Sequence, residues 1–333
     1  MDMKNWLQEQ MSAGKRKALP ILSFPSIRLL GVTVRELIQS SDTQAAGMTA
    51  IADCCPTAAA VSLMDLSVEA ECFGAQIRVS DEEVPTVVGA VAESMEAVER
   101  LRVPEVGEGR TGIYVEAIQK ALARITDRPV FAGMIGPFSL AGRLMDMTQI
   151  MISCYEEPEM VHAVLEKATL FLLKYIRAYR SAGAHGVVIA EPAAGLLSPA
   201  FCEEFSAPYV KRLVDAVQDD RFLVIYHNCG STIGRMVPQI LSCGAAAYHF
   251  SNAVPMAEMM GQMPEDILTM GNVDPVSTLR NGTPETVRAD TLEIMNACCR
   301  HKNFLISSGC DIPPATPWEN IDAFFAAVEE FYR

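Results

Sequence analysis

The sequence predicts an α/β protein folded as a (β/α)8 barrel, and three observations point there. Short aliphatic or β-branched runs alternate with longer amphipathic stretches along most of the chain, the rhythm of βα units. No G-x-G-x-x-G turn follows the first apolar run and no P-loop lysine motif occurs, which disfavours an open doubly wound sheet. Polar and sulfur-bearing residues gather just past the ends of the apolar runs, the place where barrel enzymes carry their chemistry.

Eight runs read as strands: Leu19–Phe24, Val61–Asp65, Val130–Ile135, Gly186–Ala190, Phe222–His227, Ala245–Phe250, Ile267–Met270 and Asn303–Ser307. Helical periodicity fills Glu159–Ala182, Pro199–Val217, Thr283–Cys299 and Pro317–Tyr332, several opening on a first-turn Pro or an Asn, Ser or Thr cap. The stretch 70–126 is longer than one crossover needs. Its segment CFGAQIRVSDEEVPTVVG reads as a hairpin with flanking helices, inserted over the barrel. With no low-complexity linker and no repeat, residues 1–333 read as one domain, a length that α/β barrels commonly reach.

Half of the residues are hydrophobic, ample for one large core, and the net charge is −14. That charge argues against a nucleic-acid partner, because phosphate binding needs clustered Lys and Arg. The opening MDMKNWLQEQMSAGKRK lacks a basic-then-apolar leader, and no apolar run is long enough to span a bilayer. A cytoplasmic protein without membrane contact is expected. Ten cysteines in such a chain point to reduced thiols. The neighbours Cys54–Cys55 and Cys298–Cys299 would form only strained bridges, so a structural role is expected for them.

The segment FLVIYHNCGST carries the most chemistry. An apolar run delivers His227 and Cys229, and residues i and i+2 of an extended chain point to the same side. Imidazole and thiolate together suit zinc. A third ligand is expected from Cys310 in LISSGCDIPPATP, again just past an apolar run, with Gly309 permitting close backbone approach. Three protein ligands leave a fourth position open, the pattern of a catalytic zinc. Glu191, at the end of GVVIAEP, either fills that position at rest or accepts hydrogen bonds from loop amides.

The stretches GPFSLAGRLM, GVVIAEPAAGLLSPAFCEEFSAPYVKRL, GNVDPVSTLRNGTPETVR and SSGCDIPPATPWENIDAF resemble the uroporphyrinogen decarboxylase superfamily over nearly the whole chain. Within it, the chain is similar to the methylcobalamin:coenzyme M methyltransferase branch, whose H-x-C…C zinc motif is matched by His227, Cys229 and Cys310. FPSIRLLGVTV stands where the decarboxylases carry an arginine-rich R-Q-A-G-R segment. Only Arg28 and Arg35 lie nearby, and Cys310 occupies the place of a decarboxylase G-H-G histidine. The resemblance implies a zinc-activated thiol, such as coenzyme M or a related acceptor, that attacks the methyl group of a methylcorrinoid held by a separate docking protein. The opposite direction, demethylation of a substrate onto the corrinoid, and uroporphyrinogen decarboxylation are the alternatives.

Glu191 and Asp274 are the candidate catalytic residues. Asp65, Asn272 and His249 are candidates for contact with substrate or corrinoid. Each has a plainer reading: Asn272 and Asp274 as turn and cap, Asp65 as a loop-ordering carboxylate, and His249 as a partner behind the zinc ligands. Most of the eighteen methionines should fill core gaps. Met256, Met259, Met260 and Met263 could instead offer an apolar surface to a docking protein.

Overall fold

The computed structural model describes residues 1–333. Its strands, in chain order, are β1 (Ala60–Val61), β2 (Gln76–Arg78), β3 (Thr86–Val88), β4 (Val130–Ile135), β5 (Gly186–Ala190), β6 (Leu223–Asn228), β7 (Ala247–Phe250), β8 (Leu268–Val273) and β9 (Phe304–Ser308). Seven of them form one parallel sheet in the order β1-β4-β5-β6-β7-β8-β9. β4 to β9 are buried at every position, which is why they read as continuous apolar runs instead of alternating ones.

Alternation within those runs still sorts the two faces. Val187, Ile189, Val224, Tyr226, Tyr248 and Phe250 pack outward with the helices in the main core. Val188, Ala190, Leu223, Ile225, Ala247 and Leu305 form a second, inner core, joined from below by Met3 and Trp6 of the first helix, Met3–Ser12. Continuing the inner column two residues along each strand leads from Ile225 to His227, from Ala247 to His249 and from Leu305 to Ser307. The fold thus aims these three polar side chains into the mouth of the curled sheet.

The expected strand Leu19–Phe24 is not a regular strand. Pro20 has no N–H to give a ladder, so the segment makes single bonds to each side. Leu19 N–H donates to the Ile306 carbonyl at 3.0 Å, and the Ala18 carbonyl accepts from Ala58 N–H at 2.8 Å. Ile21 N–H turns to the Ser308 hydroxyl at 3.0 Å. Residues 18–24 therefore bridge the two edges of the sheet, which holds seven regular strands and not eight. The predicted Val61–Asp65 strand shortens to β1, leaving Asp65 in irregular chain just before the turn at Leu66 and Ser67.

The predicted helix at Pro199–Val217 is also interrupted. It runs as Pro199–Phe201, a wide π-type turn at Cys202–Ser206, then Ala207–Val217. Pro208 cannot donate to the Glu204 carbonyl, so the turn widens there. Within 70–126, β2 and β3 pair antiparallel, with helices Met95–Arg100 and Thr111–Leu122 following. Met256, Met259, Met260 and Met263 are buried, so they present no docking surface. All ten cysteines are free, including both adjacent pairs. No helix is long and apolar enough to cross a membrane.

Candidate metal centre and its cavity

His227 is the penultimate residue of β6, and Cys229 follows the strand. Asn228 between them makes the bend. Its side-chain oxygen accepts from Gly230 N–H at 2.8 Å, while its amide group donates to the Tyr226 hydroxyl at 3.1 Å. Such an Asx turn swings the chain back after a strand. It also brings the Gly230 backbone against Gly195, where an added Cβ would lie 2.3 Å from the Gly195 Cα. Cys310 arrives from the far side, after β9. Gly309 makes its approach possible, because a Cβ there would stand 2.6 Å from the Asn252 nitrogen.

The three ligand atoms meet. Cys229 Sγ lies 3.0 Å from His227 Nε2 and 3.6 Å from Cys310 Sγ, and Cys310 Sγ lies 3.4 Å from His227 Nε2. A tetrahedral zinc with ordinary bond lengths sets such edges at roughly 3.5–3.8 Å. The donor set and its spacing fit that ion with small adjustment. The two thiols titrate as a pair. The Cys229 hydrogen bond and the nearby His227 hold Cys310 below the ordinary thiol range, and the same bond and burial push Cys229 up.

A hydrogen-bond chain behind His227 sets its tautomer. The Leu19 carbonyl can only accept, so the Ser307 hydroxyl donates to it at 2.7 Å. Ser307 Oγ then accepts from His249 Nε2–H at 2.7 Å. Burial, and secondarily His227, hold His249 well below the usual histidine range, so it is neutral. Its free Nδ1 accepts from His227 Nδ1–H at 2.7 Å. With Nδ1 so engaged, His227 turns Nε2 toward both sulfurs, the nitrogen placed to bind a metal.

The sulfurs open onto a cavity of about 450 Å³, walled by Ile21, Met64, Val84, Pro192, Val276 and Pro314 among others. The loop joining β2 to β3 covers part of it, and Glu83 of that loop pairs with Arg280 at 3.1 Å. Arg143, on the helix Pro137–Met145 that follows β4, also lines the cavity. Burial alone shifts it, downward, and no acceptor in the chain meets its guanidinium. Asp311 sits on the wall beside Cys310, its carboxyl pushed well above the usual range by burial and by that thiolate.

The remaining predicted residues lie elsewhere. Glu191 accepts from the Phe138 and Ser139 amides, both at 2.9 Å, and from the Ser139 hydroxyl at 2.6 Å. It thus caps the start of the helix Pro137–Met145, and burial pushes its carboxyl up to about 7 against these bonds. Asp65 is enclosed by Ser67, Arg110 and Tyr114 and does not reach the cavity. Asn272 donates to the Ser251 and Val254 carbonyls at 2.7 and 2.8 Å. Asp274 accepts from the Val276 and Ser277 amides and from Asn252. Both line a separate cleft. Arg28 donates to the Ala315 carbonyl and Arg35 pairs with Asp81, and neither lines the cavity.

Sequence reasoning missed Asn228, Ser307 and Arg143. The first two carried a signal: Asn before Cys-Gly is turn chemistry, and Ser307 shares the inward register of Leu305. Arg143 in an amphipathic helix looks like any surface arginine.

The uroporphyrinogen decarboxylase (URO-D) family model matches residues 18–331. The methylcobamide:CoM methyltransferase MtbA of Methanosarcina acetivorans is 29% identical over 80% of this chain and 78% of its own length. Uroporphyrinogen decarboxylase 2, chloroplastic, of Arabidopsis thaliana is 30% identical over 74% of this chain and 61% of its own length. A solved structure of a methyltransferase from Methanosarcina mazei superposes with a TM-score of 0.89 at 22% identity, covering all of both chains, and shows a shared fold.

Proposed function

The chain belongs to the uroporphyrinogen decarboxylase family, and from that premise we propose that it is a zinc-dependent methyltransferase acting between a methylcorrinoid and a thiol. The observation that carries the reading is the convergence of His227, Cys229 and Cys310 at the floor of an otherwise mostly apolar cavity. Coenzyme M, named in the methyltransferase relatives, or a related thiol is the acceptor, and a separate protein carries the corrinoid.

A zinc ion held by these three side chains would lower the pKa of a thiol at its open position and so supply a thiolate at neutral pH. The chain's own residues do the rest. His227, its Nδ1–H held by His249 and Ser307 behind it, presents Nε2 to the metal position. The Ile21, Met64, Val84 and Val276 walls exclude water, which would solvate the thiolate and dull its attack. Transfer to the thiol is the proposed direction.

The test is metal analysis joined to a methyl-transfer assay. The purified protein should hold about one zinc per chain, in line with a single three-ligand site. It should methylate 2-mercaptoethanesulfonate from methylcobalamin. Cys310→Ala should lose most of the zinc and the transfer while keeping the wild-type circular dichroism spectrum. A metal-free protein with full transfer activity would refute the reading. Decarboxylation has the Arabidopsis relative in its favour, but neither Arg28 nor Arg35 lines the cavity, and Arg143 is its one unpaired arginine, too few for a polycarboxylated tetrapyrrole. Turnover of uroporphyrinogen by the purified chain would restore it.

A further inference from the structure

We infer that Arg143 is the specificity-determining residue of the cavity and selects thiols that carry an anionic group, a sulfonate or carboxylate, away from the sulfur. The inference rests on the methyl-transfer reading and names the class of acceptor within it.

The argument begins with an imbalance of charge. Two arginines line the cavity, and Arg280 is already neutralised by Glu83. Arg143 has no carboxylate, carbonyl or hydroxyl partner in the chain, although it is half-buried. A guanidinium partly withdrawn from water and left without acceptors is costly to the fold. Surface arginines avoid that cost by extending into solvent. Arg143 is instead flanked by Gly142, Leu144 and Met145, all buried, on a helix whose start is fixed by Glu191. Its direction is therefore set by the packed helix.

Position supplies the second step. The Arg143 helix follows β4, and the His227–Cys229 pair ends β6, two strands along the sheet. Arginine and candidate metal ligands line one cavity of about 450 Å³, the scale of a small molecule. A ligand bound at both ends must carry a sulfur for the metal ligands and an anion for the guanidinium. The planar fork matches a carboxylate or sulfonate through paired N–H donors. The acids on the wall do not compete for Arg143: Glu83 is engaged with Arg280, and Asp311 lies at the Cys310 end.

Titration calorimetry on the zinc-loaded protein tests this with 2-mercaptoethanesulfonate, 3-mercaptopropionate and the neutral 2-mercaptoethanol. Wild type should bind both anionic thiols about 10- to 100-fold more tightly than the neutral one, the usual worth of a charge-assisted pair. Arg143→Gln should erase that preference while leaving 2-mercaptoethanol affinity and zinc content unchanged. Arg143→Lys should restore part of it. Equal affinities for the three thiols in wild type, or an unaltered preference in Arg143→Gln, would overturn the role of Arg143 and leave methyl transfer standing. If no thiol binds the zinc-loaded protein, the methyl-transfer reading itself fails.

Discussion

At the scale of single residues, the proposed zinc site depends on which nitrogen of His227 is free, and a serine three strands away decides it. Ser307 must donate to the Leu19 carbonyl, so it can only accept from His249, and the consequence passes along the ring to His227 Nε2. Removing the hydroxyl frees His249 to take either neutral tautomer. In one of them His249 presents Nδ1–H to His227 and forces the metal-binding nitrogen to carry the proton. Ser307→Ala should therefore weaken zinc binding by about 10- to 100-fold, as losses of outer hydrogen-bond partners commonly do. Ser307→Thr, which keeps the hydroxyl, should bind near wild type. Chelator competition measures both, and nitrogen chemical shifts of the two histidines report the tautomer directly. Unchanged affinity in Ser307→Ala would mean that the ligands alone define the site.

At the scale of elements, the strand ends show what was readable and what was not. β4 and β5 were legible with their limits because parallel strands buried on both faces leave unbroken apolar runs. The convergence of His227, Cys229 and Cys310 was legible from the i, i+2 spacing of the first two and from Cys310 lying beyond a similar run. Leu19–Phe24 was misread because its apolar pattern matches a strand while Pro20 denies it a ladder. Asp274 shows why a strand-end carboxylate is ambiguous: catalytic and capping residues look alike in sequence, and only the partners separate them. Its Oδ1 accepts from the Val276 and Ser277 amides at 2.8 and 2.7 Å, opening the turn Pro275–Arg280. Asp274→Ala should cost about 1 kcal/mol of folding stability, the usual worth of a cap, with zinc content and thiol affinity unchanged. Urea denaturation beside calorimetry checks it, and lost thiol affinity in a stable variant would return Asp274 to the candidate catalytic residues.

At the scale of the whole molecule, the proposed reaction needs two approaches to one cavity, since a small thiol must be held inside while a bulky corrinoid arrives from outside. The protein is acidic overall, with a net charge of −14, so net charge alone does not direct a partner to one face, and short-range apolar contact has to contribute. Large apolar side chains are exposed near the strand ends that carry the site: Leu196 in the turn after β5, Val88 at the end of β3 and Val276 after β8. Leu196 is the most exposed of them at 62%, and unlike Val276 it does not line the cavity. It therefore separates docking from chemistry. Leu196→Glu should slow methyl transfer from a corrinoid protein by about tenfold or more, the effect of losing one central interface contact. Transfer from free methylcobalamin, which needs no protein interface, should be unaffected. Leu170 provides the control, being 48% exposed but midway along the outer helix Pro158–Ser181. Leu170→Glu should change neither rate. If both variants slow transfer from the corrinoid protein equally, surface charge and not the face around the strand ends governs the encounter. If Leu196→Glu slows the reaction with free methylcobalamin as well, the turn after β5 shapes the cavity itself, and the docking face must be sought at Val88 and the β2–β3 hairpin.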